Sequence, residues 1–214
     1  VPRTFAPDAV PPEEALSRLI EGNRRFVAGE GQALRRWHPG LAAGQAPFAV
    51  VLGCADSRAP AEYVFDQGLG DLFVIRVAGN IVAPSLVGSV EFAAAQFGTR
   101  LVVVMGHTHC GAVAATVRAL ENRGAPVSTN IQSIVDRISP QVQQVLDDVA
   151  DPTMRVTVAV SANALASARE LRRSSPLLTD LVSRGRVLIL AAVYDLETGG
   201  VRFLEKPADS VSSL

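Results

Sequence analysis

Four short runs, FAVVLG (Phe48 to Gly53), LFVIRVA (Leu72 to Ala78), LVVVMG (Leu101 to Gly106) and VLILAAVY (Val187 to Tyr194), are apolar almost from end to end. A strand with one wet face alternates apolar and polar residues, so a continuous apolar run implies a strand covered on both faces. Helical patterns lie between them, including SLVGSVEFAAAQF (Ser85 to Phe97) and GAVAATVRALENR (Gly111 to Arg123). Buried strands alternating with helices predict an α/β fold: a mostly parallel sheet of four strands, flanked by helices. The tail VYDLETGGVRFLEK adds a hairpin, with a turn at Gly199 and Gly200 and an antiparallel edge strand over Val201 to Leu204. Ile131 to Ala150 and Arg155 to Arg173 read as two more helices, although the valines of RVTVAV leave a strand open there.

Ahead of the first strand, PPEEALSRLIEGNRRFVA (Pro11 to Ala28) places Leu16, Leu19, Ile20, Phe26 and Val27 at roughly helical spacing behind a Pro-Pro-Glu-Glu start. Such an amphipathic arm needs a partner for its apolar face, either the body of the same subunit or a second copy. The chain is therefore read as one domain over 1–214, an N-terminal helical arm over 1–45 leading into an α/β core over 46–214.

The 20 Lys plus Arg nearly cancel the 21 Asp plus Glu, so nothing in the overall charge favours nucleic acid or an anionic membrane surface. No segment reaches the ~20 consecutive apolar residues of a membrane helix. Cytoplasmic residence is expected, with an exported form left open because the chain begins at Val1 rather than Met.

In an open parallel sheet, ligands bind beyond the carboxyl ends of the strands. Both cysteines fall there. VVLGCADSRAP delivers Cys54 past one strand end, and LVVVMGHTHCGA delivers His107, His109 and Cys110 past another. Adjacent strands are ~4.8 Å apart, so these side chains can converge on one ion. A cysteine opening a helix is biased towards thiolate, the form that binds metal. Two sulfurs and one imidazole suit Zn²⁺ and leave a fourth tetrahedral position open. Free cysteines are also common packing residues, and a Cys54–Cys110 disulfide would explain the pair without the histidines. His109, next to Cys110, is read as solvent-facing or supporting, and His38 as a surface residue.

Asp56 and Arg58, two residues apart, form either a plain salt bridge or a gate. If Asp56 took the fourth metal position the site would be closed; if Arg58 held it aside, water could bind and the carboxylate could accept its hydrogen bond. Ser57 is assigned a turn-forming role.

CADSR followed by GHTHCGA resembles the Cys-x-Asp-x-Arg and His-x-x-Cys pair of the β-class carbonic anhydrases, and EGNRRF, FDQGLGDLFVIRVAGN and GSVEFA look like further family signatures. The resemblance runs over most of the chain. It implies Zn²⁺ held by Cys54, His107 and Cys110, with Asp56 and Arg58 as catalytic residues and Asp56 as a fourth ligand in a closed state. It implies reversible hydration of CO₂ to bicarbonate and a proton by a zinc-bound hydroxide, and a homodimer or homotetramer whose N-terminal helices wrap the neighbouring subunit. Gln45 matches a glutamine that reaches the substrate across the dimer interface, and Val77 and Ala78 are expected to form an apolar wall for CO₂. Val51 stands where one branch has the tryptophan of a regulatory bicarbonate site, so no such site is expected, although Arg76 matches its arginine. The alanine-rich SANALASA departs from the family pattern and is expected to affect packing or oligomer contacts. The same zinc set would also serve hydrolysis of CO₂ analogues such as carbonyl sulfide, or a non-catalytic zinc module with Asp56 permanently bound.

Overall fold

The computed structural model describes residues 9–32, 37, 39–121 and 128–206. Among these residues five strands, β1 (Ala49–Gly53), β2 (Leu72–Arg76), β3 (Leu101–His107), β4 (Leu188–Tyr194) and β5 (Val201–Phe203), form one sheet in the order β2-β1-β3-β4-β5. The first four are parallel, and β5 pairs antiparallel with β4 at the edge. Every residue of β1, β3 and β4 is buried. The alternation of side chains explains why: Val50 and Leu52 join one apolar cluster, and Ala49 and Val51 join another on the opposite face.

Among the described residues, seven helices cover these faces: α1 (Pro12–Ala28), α2 (Ala61–Val64), α3 (Pro84–Phe92), α4 (Gly111–Leu120), α5 (Thr129–Leu146), α6 (Arg155–Arg173) and α7 (Pro176–Ser183). The segment RVTVAV opens α6, so the strand alternative is not realised there. Its buried residues Ala159, Val160, Asn163, Ala164, Ser167, Ala168 and Leu171 follow helical spacing, and packing outweighs the β preference of the valines. The alanines of SANALASA are small because α6 lies close to β3: a side-chain carbon on Gly106 would stand 3.4 Å from Val160 Cγ1 and 3.5 Å from the Ala164 methyl. α7 is absent from the reading of the sequence, although Ser175 caps it by accepting from the Leu178 amide at 3.0 Å and Pro176 opens it. The helix expected over Ser85 to Phe97 is α3 followed by a π-helical turn, Ala93–Phe97. His38, and the last residues expected of α4 at 122–123, lie outside the described residues.

The apolar face of α1 is covered by its own chain. Ala15 and Leu19 are fully buried in the cluster that contains Phe48, Phe65 and Tyr194, whereas Val27 stays half exposed. Asn23 fastens the helix. Its Nδ2 donates to the carbonyls of Val64 (3.0 Å) and Gly199 (2.9 Å), and its Oδ1 accepts from the Val201 amide at 2.9 Å. At the preceding position, a Cβ on Gly22 would lie 1.8 Å from the Phe65 carbonyl oxygen, so only glycine allows this approach. At the far side of the sheet, the guanidinium of Arg172, only 1% exposed, donates to Glu205 Oε2 (2.8 Å) and the Ile189 carbonyl (2.7 Å). Among the described residues, no helix is long and apolar enough to cross a membrane.

Candidate active site

The strand order sets the place of the site. From β1 the chain crosses to β2 on one side and returns to β3 on the other, so the loops after β1 and β3 diverge and leave a crevice at their carboxyl ends. β1 and β3 are in register with Gly53 opposite Met105, which sets Cys54 and the end of β3 side by side. Cys54 follows β1, His107 ends β3, and Cys110 caps α4. Their ligand atoms lie within 4.8 Å of one another, and all three residues are buried.

Both cysteines are free. Their sulfurs are 4.0 Å apart, about twice the length of a disulfide bond, so the disulfide alternative is not realised. At that distance a thiol on either residue can donate to the other sulfur. The S–H of Cys110 stabilises Cys54 as thiolate and brings its pKa down to about 4, against the opposing effect of burial. Donation of that proton, together with burial, pushes the Cys110 thiol up. The Gly79 amide also donates to Cys54 Sγ at 3.3 Å.

His107 is fully buried, with Nδ1 2.9 Å from the Thr108 carbonyl. A carbonyl can only accept, so Nδ1 carries the proton and Nε2 presents a lone pair. That Nε2 is buried without a hydrogen-bond partner, close to the two sulfurs. An orphaned buried acceptor costs about 1–3 kcal/mol, and a metal ion in the cluster would remove that cost. Burial disfavours protonation of this imidazole, but the Cys54 sulfur, the Thr108 carbonyl and Asp56 outweigh it and raise its pKa. Two thiolate donors and an imidazole with its other nitrogen fixed by a carbonyl are a donor set that fits zinc.

Asp56 Oδ2 stands 3.8 Å from His107 Nε2. Arg58 grips the carboxylate from three directions: Nε to Oδ1 (3.0 Å), Nη2 to Oδ2 (2.8 Å) and its backbone amide to Oδ1 (2.9 Å). Those bonds hold the Asp56 carboxyl well below the usual carboxylate range. Arg58 Nη2 also reaches the His109 carbonyl at 3.4 Å, linking the loop after β1 to the loop after β3. His109 is an exposed residue in the left-handed region (φ 57°), its Nε2 3.3 Å from Glu197 Oε1.

Val77 and Ala78 are half-buried in the segment that follows β2, and Val77 packs against the apolar cluster that contains Cys54 and Cys110. Gln45 does not join them. It is exposed, ahead of the amino end of β1, and five strand residues at ~3.3 Å each put it on the order of 16 Å from Cys54 of its own chain. Three supports of the site stand outside the roles read in the sequence: Gly79; Asn163, whose Nδ2 donates to the Gly79 carbonyl at 2.8 Å; and Arg76 as a donor to the loop after β1. A strand followed by Ala-Gly-Asn marks the turn at Gly79, but nothing local marks its contact with a sulfur.

An α/β sheet whose switch point holds a buried Cys-His-Cys cluster beside an Asp-Arg fork defines a protein of the metal-dependent enzyme type. The family model described as carbonic anhydrase matches residues 49–201. Carbonic anhydrase 2 of Mycobacterium tuberculosis is 38% identical over 196 residues, which cover 88% of this chain and 90% of that protein. A carbonic anhydrase of Mycolicibacterium smegmatis is 37% identical over 194 residues, covering 89% and 92%. Among solved structures, the Coccomyxa β-carbonic anhydrase in complex with acetazolamide superimposes with a TM-score of 0.67 at 27% identity, over 89% of this chain and 86% of that one. A tetrameric β-carbonic anhydrase of Sordaria macrospora shares the fold, with a TM-score of 0.71 at 22% identity over 89% and 97% of the two chains. The chain belongs to the β class of the carbonic anhydrase family.

Proposed function

We propose that this protein catalyses the reversible hydration of CO₂ to bicarbonate and a proton, with Zn²⁺ held by Cys54 Sγ, His107 Nε2 and Cys110 Sγ. The observation that carries the reading is the bare Nε2 of a fully buried histidine facing two sulfurs, with a carboxylate 3.8 Å away. Zinc held there would supply a Lewis acid able to acidify a bound water. Asp56 supplies the oriented acceptor. Because Arg58 occupies both of its oxygens, the carboxylate stays ionised and is held back as a hydrogen-bond acceptor. That fork supports an open site over a closed one in which Asp56 is a permanent ligand. Val77 and Ala78 present an apolar wall for CO₂, which has no charge to reward polar surroundings.

Gln45 lies at the wrong end of its own β1, so it serves as a donor to substrate only from a second copy, and the working unit is a homodimer or a homotetramer. Stopped-flow CO₂ hydration at pH 8.5 on protein of measured zinc content tests the reading, with Cys54→Ala as control. Turnover in proportion to zinc, lost together with zinc in the control, is expected. Full zinc occupancy without turnover would refute it.

A further inference from the structure

We propose that Arg76 is a positioning residue that sets where the Asp56 carboxylate stands relative to the Cys-His-Cys cluster. Arg76 ends β2, opposite Gly53 at the end of β1. Its guanidinium donates twice to the neighbouring loop: Nε to the Cys54 carbonyl at 2.9 Å and Nη2 to the Asp56 carbonyl at 2.5 Å. One planar group thus bridges the residue that offers a sulfur and the residue that offers the carboxylate. Strand pairing continues around it, with the Val77 amide on the Gly53 carbonyl (3.1 Å) and the Ala55 amide on the Val77 carbonyl (3.2 Å). These two bonds fix Gly53 and Ala55; the Cys54 carbonyl is held by Arg76, and the Asp56 carbonyl by Arg76 together with the Ala59 amide at 3.0 Å.

The fork geometry is the point. A guanidinium presents parallel donors in a rigid plane, whereas an ammonium is a single flexible point charge. Arg76 makes no salt bridge with a carboxylate among the described residues, so its positive charge and its two-pronged shape can be separated by substitution. The brace also extends beyond Asp56. Arg58 holds the Asp56 side chain and touches the His109 carbonyl next to Cys110, so the two arginines tie the ends of β2, β1 and β3 into one frame. Arg58 grips the carboxylate and Arg76 grips the backbone that carries it. Without Arg76, the backbone of Asp56 keeps only the Ala59 amide while its carboxylate still lies 3.8 Å from the imidazole, so a metal held by the cluster would compete with the Arg58 fork for that carboxylate.

The inference rests on the metal site proposed above. The test uses Co²⁺-loaded protein, whose visible spectrum reports the ligands on the metal, together with CO₂ hydration by the zinc form. Arg76→Met is expected to keep one metal per chain but to change the cobalt spectrum as Asp56 enters, and to lower kcat by about tenfold or more with KM little changed. Arg76→Met combined with Asp56→Asn is expected to return the spectrum of Asp56→Asn alone. Arg76→Lys, which keeps the charge and loses the fork, should behave like Arg76→Met, and it carries the test if the methionine variant does not fold. A wild-type cobalt spectrum and kcat in Arg76→Lys, or loss of metal from either variant, would overturn the proposal. Failure of the wild-type protein to take up cobalt would instead sink the metal site on which it rests.

Discussion

Replacing Gly79 by alanine perturbs the site through a single methyl group. Gly79 has φ 72° and ψ 17°, in the left-handed region, where a non-glycine residue costs about 1–2 kcal/mol. Its new Cβ would stand 2.7 Å from Ile138 Cδ1 and 3.1 Å from the Ala112 methyl, against ~3.5–4.0 Å for relaxed carbon contacts. Ile138 is fully buried, so it cannot swing into solvent, and crowding of this kind costs about 1–3 kcal/mol. The smaller entropy of an unfolded alanine offsets about 0.4–1 kcal/mol. The net expectation is a loss of about 1–4 kcal/mol, read as a lower urea midpoint for the metal-free protein at unchanged slope. A second loss should appear at the metal. Moving the Gly79 amide away from Cys54 Sγ, now 3.3 Å distant, removes a supporting donor of the kind whose mutation weakens metal binding by about 10–100-fold. Competition with a chromogenic chelator measures this. An unchanged midpoint together with zinc affinity within about twofold of the parent would refute the argument that this turn is tightly packed around the sulfur.

Zinc affinity should depend on pH. In the metal-free cluster the bond between the sulfurs favours thiolate at Cys54 and, together with burial, pushes the Cys110 thiol up, so the pair keeps a proton. Binding must expel that proton, and His107, raised by its neighbours against burial, contributes part of another. The apparent Kd should therefore fall about tenfold or more for each unit of rising pH between 6 and 8, as measured by chelator competition; a flat profile would mean that both thiols are already ionised. On the opposite side of the sheet, Glu205→Ala should cost about 3–5 kcal/mol in urea denaturation, because it leaves the buried Arg172 charge uncompensated. A loss below about 1 kcal/mol would show that Arg172 finds another partner.

The sheet is legible in the sequence because a strand covered on both faces leaves a continuous apolar run, and all four such runs become parallel strands. The cluster is legible for a related reason. Cys54, His107 and Cys110 stand where those runs stop, and β1 and β3 are neighbours, so strand ends far apart in sequence meet. Periodicity serves less well for α7, since eight residues give barely two turns and the Ser175-Pro176 start is the stronger signal. The supports of the site are harder still. Arg76 and Gly79 act through backbone carbonyls and an amide, groups that every residue carries, so their partners have no signature in side-chain chemistry. Asn163 stands in the alanine-rich stretch marked as unusual, and its reason becomes visible only when α6 lies across the turn at Gly79.

The polar knot around Asn23 sets an order of events during synthesis. Asn23 leaves the ribosome early, but one of its acceptors, the Gly199 carbonyl, follows 176 residues later, and the Val201 amide later still. At ~5–20 residues per second, that interval is on the order of ten to thirty seconds. Throughout it, the first helix has Leu19 ready for burial and only part of its seat in existence. A segment made well before the rest of its seat is therefore among the last to be secured. The nascent chain carries an unsheltered amphipathic helix until the hairpin of β4 and β5 closes the sheet.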